Sequence, residues 1–165
     1  MLKSLLAHLP EKTKNNLNVR LFGFFKVPLI FLAGVRVISV DADRCEIVVP
    51  FKRRNKNHLN SLYFGSLGIG ADVAGGLIAS YLIEKQNLRI SLVFKDFTAQ
   101  FLKRAEADTH FICEDGDRVQ ALIKAAHTTG ERVNDTVRVV ATTPSVTGDE
   151  PVAEFALTLS LKSKE

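Results

Sequence analysis

The run from Asn57 to Gly76, NHLNSLYFGSLGIGADVAGG, constrains this chain more than any other stretch. It holds Gly65, Gly68, Gly70, Gly75 and Gly76 and a single charged residue, Asp72. Each interior glycine costs a helix about 1 kcal/mol relative to alanine. Everything after Tyr63 nevertheless reads as helix, from about Gly65 to Glu84. The span Leu59 to Ile83 is long enough to cross a membrane, but an acid at its middle and the many glycines predict a helix buried in protein instead. A helix enclosed on most sides should be apolar all round, and this one nearly is.

On a helical wheel Gly65, Gly68, Asp72, Gly76 and Ala79 share one side. Leu67, Val73, Ala74, Leu77, Ile78 and Tyr81 take the rest and would pack on a sheet. A stripe without side chains lets another backbone or a ligand come close.

The flanking patterns supply that sheet. VRVISV and CEIVVPF are β-branched runs separated by DADR, which predicts a hairpin. RISLVFKDFTAQFLKRAEAD reads as a long strand, with Val93 and Phe97 expected on one face and Lys95 on the other. THFIC, RVNDTVRVVATTP and VAEFALTLSLK follow as strands. EDGDRVQALIKAAHTTG reads as a short helix with Gly130 as its stop. One apolar helix among antiparallel strands is an α+β plan, a curved sheet wrapped round the helix. No repeat or linker divides the chain, so residues 1–165 are expected to form one domain. Residues 1–34 form a helical extension, with Leu2, Leu5, Leu6 and Leu9 at helical spacing and Pro28 near a helix start.

Composition excludes little. The net charge of +4 is too small to indicate nucleic acid. Cys45 and Cys113 lie far apart in sequence, with no CxxC and no metal-ligand spacing, and read as reduced thiols of a cytoplasmic protein. No cofactor is implied. The apolar runs near the N-terminus are too short or too interrupted to span a membrane.

Three readings compete for the glycine stripe. A dinucleotide loop needs G-x-G-x-x-G, and the order here is G-x-x-G-x-G. The glycines could serve packing alone, with Asp72 a satisfied buried acid. Or Asp72 is a functional carboxylate in a close-approach groove, since an acid in apolar surroundings is costly and such groups cluster at active sites.

Asn57, Gly65 and Asp72 together resemble the signature of hotdog-fold acyl-CoA thioesterases of the phenylacetate-pathway type. Those proteins carry a loop Asn, a His-Gly-Gly opening the central helix, and an acid one to two turns into it. Tyr63 and Phe64 stand here where the His and first Gly would be. The run N-H-x-x-x-x-Y-F-G resembles more closely a thioesterase-like hotdog branch that is still a domain of unknown function.

The resemblance implies a hotdog fold and a homodimer or homotetramer with its site shared between subunits. It also implies an acyl-CoA or acyl-carrier thioester as substrate. Asp72 would be general base, or nucleophile through an anhydride. Backbone N–H groups of Phe64, Gly65 and Ser66 would polarise the carbonyl, and Asn57 would orient water or carbonyl. Tyr63 would donate a hydrogen bond or narrow the pocket. His58 falls within the motif, on the substrate side. The basic run Lys52, Arg53, Arg54 and Lys56 could receive coenzyme A phosphates, with Lys103 and Arg104 a second candidate. The N-terminal apolar segment and phenylalanines would form the floor of an acyl pocket. The rival readings are a non-catalytic hotdog protein binding acyl-CoA or a lipid-like ligand, and a dehydratase using His58.

Overall fold

A computed structural model describes residues 10–164. The leucines at 2, 5, 6 and 9 lie outside the described residues. Among the described residues two helices come first, α1 (Glu11–Phe25) and α2 (Pro28–Ala33). Pro28 sits in the first turn of α2, where its missing N–H costs nothing, and Gly34 closes the helix at φ 69°. The hairpin follows as β1 (Arg36–Val40) and β2 (Cys45–Val49). Asp41 closes its turn by accepting from the N–H groups of Asp43 and Arg44 at 2.9 and 2.8 Å.

The long helix α3 (Phe64–Lys85) extends one residue beyond the expected span at each end. Then come β3 (Ile90–Phe101), β4 (Thr109–Cys113), α4 (Gly116–Thr129), β5 (Val133–Thr142), the single turn α5 (Pro144–Thr147) and β6 (Pro151–Ser163). Gly130 ends α4 in the left-handed region, at φ 69°.

The six strands form one antiparallel sheet in the order β1-β2-β4-β5-β6-β3. It curls around α3, whose Ala71, Ala74, Ile78 and Ala79 are fully buried, and Phe111, Val137, Leu157 and Leu159 meet them from the strands. Helix α3 is long and apolar enough to cross a membrane, and here it lies against the concave face of a sheet. This is the hotdog arrangement.

The two sheet edges differ. At β1 the side chain of Asn16 pairs with Val37 as a strand would: its Nδ2 donates to the Val37 carbonyl and its Oδ1 accepts from the Val37 N–H, both at 2.8 Å. That plugs the edge and ties α1 to the sheet. Among the described residues no strand lies beside the outer edge of β3.

Three expectations need correction. The strand expected to run to Asp108 ends at Phe101, where the N–H groups of Leu102 and Lys103 both turn to the Val152 carbonyl. Val93 and Phe97 do not share a face, because a β-bulge at Lys95 inserts one residue. Phe97 therefore sits opposite Leu157 on the core side, and Val93 opposite Ser160 on the other. Cys45 and Cys113, distant in sequence, are direct cross-strand partners in β2 and β4. Both are buried free thiols. Burial pushes Cys113 up to about 11 and raises Cys45 as well, so neither is a ready thiolate. His110 points to the opposite face, where its Nδ1 lies 2.6 Å from Glu46.

Candidate functional site

The bare stripe of α3 is not uniform. Tyr63 precedes the helix in extended conformation, and the first intrahelical bond runs from the Leu67 N–H to the Tyr63 carbonyl at 3.0 Å. The N–H groups of Phe64, Gly65 and Ser66 thus have no partner within the helix. The Tyr63 ring folds back over this turn. A Cβ at Gly65 would fall 2.6 Å from Tyr63 Cε1, so a larger residue there would push this exposed ring aside. At Gly68 a Cβ would meet nothing within 4 Å, and at Gly76 it would touch the Phe94 ring. Gly70, off the stripe, serves packing by admitting the Phe111 ring, whereas a Cβ at Gly75 would make only ordinary contact with Val137.

Asp72 projects from the stripe into a cavity of about 580 Å³ between α1, α3 and the first half of β3. Val19, Phe22, Ile30, Leu77, Leu92 and Phe94 make most of its wall apolar. Residues of α1 and α2 thus form part of this wall. Burial raises the Asp72 carboxyl above its ordinary value, and no charge or hydrogen bond among the described residues opposes the rise. Ser80, Tyr81 and Glu84 share this cavity, two to three turns beyond Asp72. Ser80 and Glu84 were not singled out from sequence, and Tyr81 was expected to pack on the sheet; helical spacing places Ser80 next to the stripe and Glu84 further round, beside Val73 and Leu77.

The loop before α3 builds a second cavity, of about 720 Å³. Asn57 Oδ1 accepts from the N–H groups of Leu59 and Ser61 at 2.9 and 3.1 Å and from Ser61 Oγ at 3.3 Å. Asn57 therefore templates its own loop, while its carboxamide nitrogen has no protein acceptor among the described residues. His58, Tyr63, Phe64, Phe101, Lys103 and Arg104 line the same cavity. The Tyr63 and Phe64 rings lie 4.6 Å apart and both are well exposed. Lys103 is paired with Glu150 at 2.5 Å.

Other predicted residues point elsewhere. Arg54 packs its guanidinium against Gly34, and Lys56 Nζ sits 3.8 Å above the Phe51 ring and bonds Asn60. Arg53 and Ser66 line neither cavity, and Ser66 is buried. The basic loop takes this course because Asn55, which sequence reasoning passed over, is buried. Its Nδ2 donates to the carbonyls of Ala33 and Pro50, both at 2.8 Å.

The two cavities share no residue. Asp72 lies seven positions past Gly65 (72 − 65 = 7), about 10 Å along the axis at 1.5 Å per residue. Within one chain the acid and the helix N-terminus therefore cannot both touch one reacting carbonyl. Among the described residues no group of three or more His, Cys, Asp and Glu side chains is placed to hold a metal.

A family model described as a domain of unknown function, DUF4442, matches residues 17–159. The chain belongs to that family. The DUF4442 span begins inside α1 and ends inside β6, and takes in both cavities except for Asn15. Solved structures of the same fold include a protein from Pseudomonas aeruginosa named a probable thioesterase, 24% identical with a TM-score of 0.73, covering 95% of this chain and 99% of that one. A protein of unknown function from Chlorobaculum tepidum aligns at 14% identity and a TM-score of 0.80, covering 93% and 97%. A thioesterase from Haemophilus influenzae aligns at 16% and 0.65, covering 87% and 88%. At these identities the likeness is one of fold. No curated protein sequence matches the chain.

Proposed function

We propose that this DUF4442 protein is a hydrolase of acyl thioesters whose site is completed by two copies of the chain. Asp72 carries this reading: a carboxylate without a protein partner, raised by burial, in an apolar cavity beside the open position at Gly68. A general base works best with a pKa near the working pH, and burial moves Asp72 in that direction. The thioesterases among its fold neighbours favour the same chemistry.

Water adds to the thioester carbon, and Asp72 accepts its proton. The carbonyl oxygen becomes an oxyanion facing the free N–H groups at the start of α3, where the helix dipole also favours negative charge. Collapse breaks the C–S bond, and the proton held by Asp72 passes to the leaving sulfur. The acyl tail lies in the apolar cavity, whose volume of about 580 Å³ falls within the range of small-molecule sites.

The open edge of β3 supplies the second copy. If β3 pairs antiparallel with itself across a two-fold axis, the Phe101 end of one strand lies opposite the Ile90 end of the other. The Tyr63 cavity of one chain, which Phe101 borders, then meets the Asp72 cavity of its partner, which Leu92 and Phe94 border. Each dimer has two such sites. In this arrangement Lys103 and Arg104, not Arg53, Arg54 and Lys56, receive the phosphates of coenzyme A, with Phe64 and Tyr63 available for stacking.

Assaying a panel of acyl-CoAs for released thiol, beside Asp72→Asn, tests the reading. Loss of the base is expected to lower turnover by about 10²–10⁴-fold. Equal thiol release by both proteins rejects Asp72 as the base. No turnover, with a raised melting temperature in acyl-CoA, favours a binding protein instead.

A further inference from the structure

Seven large apolar side chains stand exposed between residues 21 and 32: Leu21, Phe22, Phe24, Phe25, Leu29, Phe31 and Leu32. They form the corner where α1 turns into α2. Phe25 is 71% exposed and Leu29 63%. Contiguous exposed apolar surface of this kind marks a contact site.

The corner is built rather than frayed. A Cβ at Gly23 would fall 2.8 Å from the Phe31 backbone nitrogen, so glycine lets the two helices touch. The Phe24 ring packs edge-on against Phe25 and Phe31 at 5.0 and 5.3 Å. Asn16 ties α1 to β1, and Asn55 ties the end of α2 to the loop beyond β2. The apolar side chains are therefore held outward by a braced scaffold.

Outside the cavity that Leu21 and Phe22 share with Asp72 and Glu84, the segment's own charge has one sign. From Lys12 to Val40 the chain carries Lys12, Lys14, Arg20, Lys26 and Arg36 and no acid. All five are exposed. Arg36 is engaged by Asp108, and the other four have no ion-pair partner among the described residues. A second copy docked on this corner across a two-fold axis would set these cations against themselves.

We infer that the α1–α2 corner is a membrane-surface anchor, seating its phenylalanines at the acyl boundary of an anionic phospholipid leaflet while Lys26 and Arg20 meet the headgroups. Neither helix is long enough to span a bilayer, which fits a segment lying in the interface. Leu21 and Phe22 also line the Asp72 cavity, so lipid contact would bring that cavity to the membrane face. The anchor does not depend on what Asp72 does.

The chain has no tryptophan, so Phe25→Trp introduces a single tryptophan, excited apart from the two tyrosines, at the most exposed point of the corner. On vesicles of equal parts phosphatidylcholine and phosphatidylglycerol at low salt, its emission is expected to shift to the blue. Brominated acyl chains should quench it. Unaltered protein should float with these vesicles at least about tenfold better than with phosphatidylcholine alone, and added salt should release it. Phe24→Ser with Phe25→Ser, checked for an unchanged melting temperature, should lose about tenfold of that partition. Absence of a blue shift overturns the anchor, as does flotation that ignores the double substitution. A halved particle mass on making the double substitution also overturns it, because the corner is then an interface between copies.

Discussion

The ring of Phe111 fills the space that a side chain at Gly70 would occupy. A Cβ built there lies 2.4 Å from two ring atoms, and Phe111 is itself fully buried. Two residues earlier, on the other side of the helix, Gly68 faces open space. The two glycines therefore predict opposite outcomes. Gly68→Ala removes backbone freedom without a clash and should stabilise the fold by up to about 1 kcal/mol. Gly70→Ala must displace the ring and should destabilise by about 1–3 kcal/mol in spite of the same helix gain. Denaturant unfolding of both variants measures the signs.

Asp72 carries a pH signature. Its carboxyl is raised above the ordinary value of 3.8 by burial, so the folded chain binds its proton more tightly than the unfolded chain does. Stability then falls as pH rises from 3.8 through the folded value, and the cost is complete above it. Asp72→Asn removes that cost. The variant should melt at a higher temperature than the parent near neutrality, and the difference should vanish below pH 3.8. Thermal melts across pH test this without any assay of activity.

Arg104 lies in the cavity with Tyr63 and Phe64, while Arg54 is packed on Gly34. If coenzyme A phosphates rest at Arg104, then Arg104→Ala should raise KM for acyl-CoA roughly tenfold, the worth of a charge-assisted hydrogen bond. For an acyl-pantetheine substrate lacking the nucleotide, KM should be unmoved. Steady-state kinetics with both substrates separate the two.

Much of the fold could be read from sequence because its signals are local. β-branched runs marked the strands, and the apolar run after Tyr63 marked α3 to within one residue at each end. What escaped depends on register and chain path. The bulge at Lys95 adds one residue with no glycine to announce it, and it moved Val93 and Phe97 to opposite faces. The pairing of Cys45 with Cys113 exists only once β2 and β4 are aligned. At the candidate site the stripe holding Asp72 followed from helical spacing. Which cations reach the groove did not, because the buried amide of Asn55 sets the course of the basic loop. The division into two cavities follows from the rise of α3, which parts Gly65 from Asp72 by about 10 Å.

That division makes subunit complementation the most direct test. Asp72→Asn disables one half of the site and Asn57→Ala the other. Each variant alone should be nearly inactive. Mixed under conditions that exchange subunits, half the dimers become heterodimers, and each heterodimer holds one site with both Asp72 and Asn57 intact. Half the dimers with half their sites working predicts thiol release at about a quarter of the unaltered rate. Activity that stays at the level of the separate variants would contradict a site built from two chains.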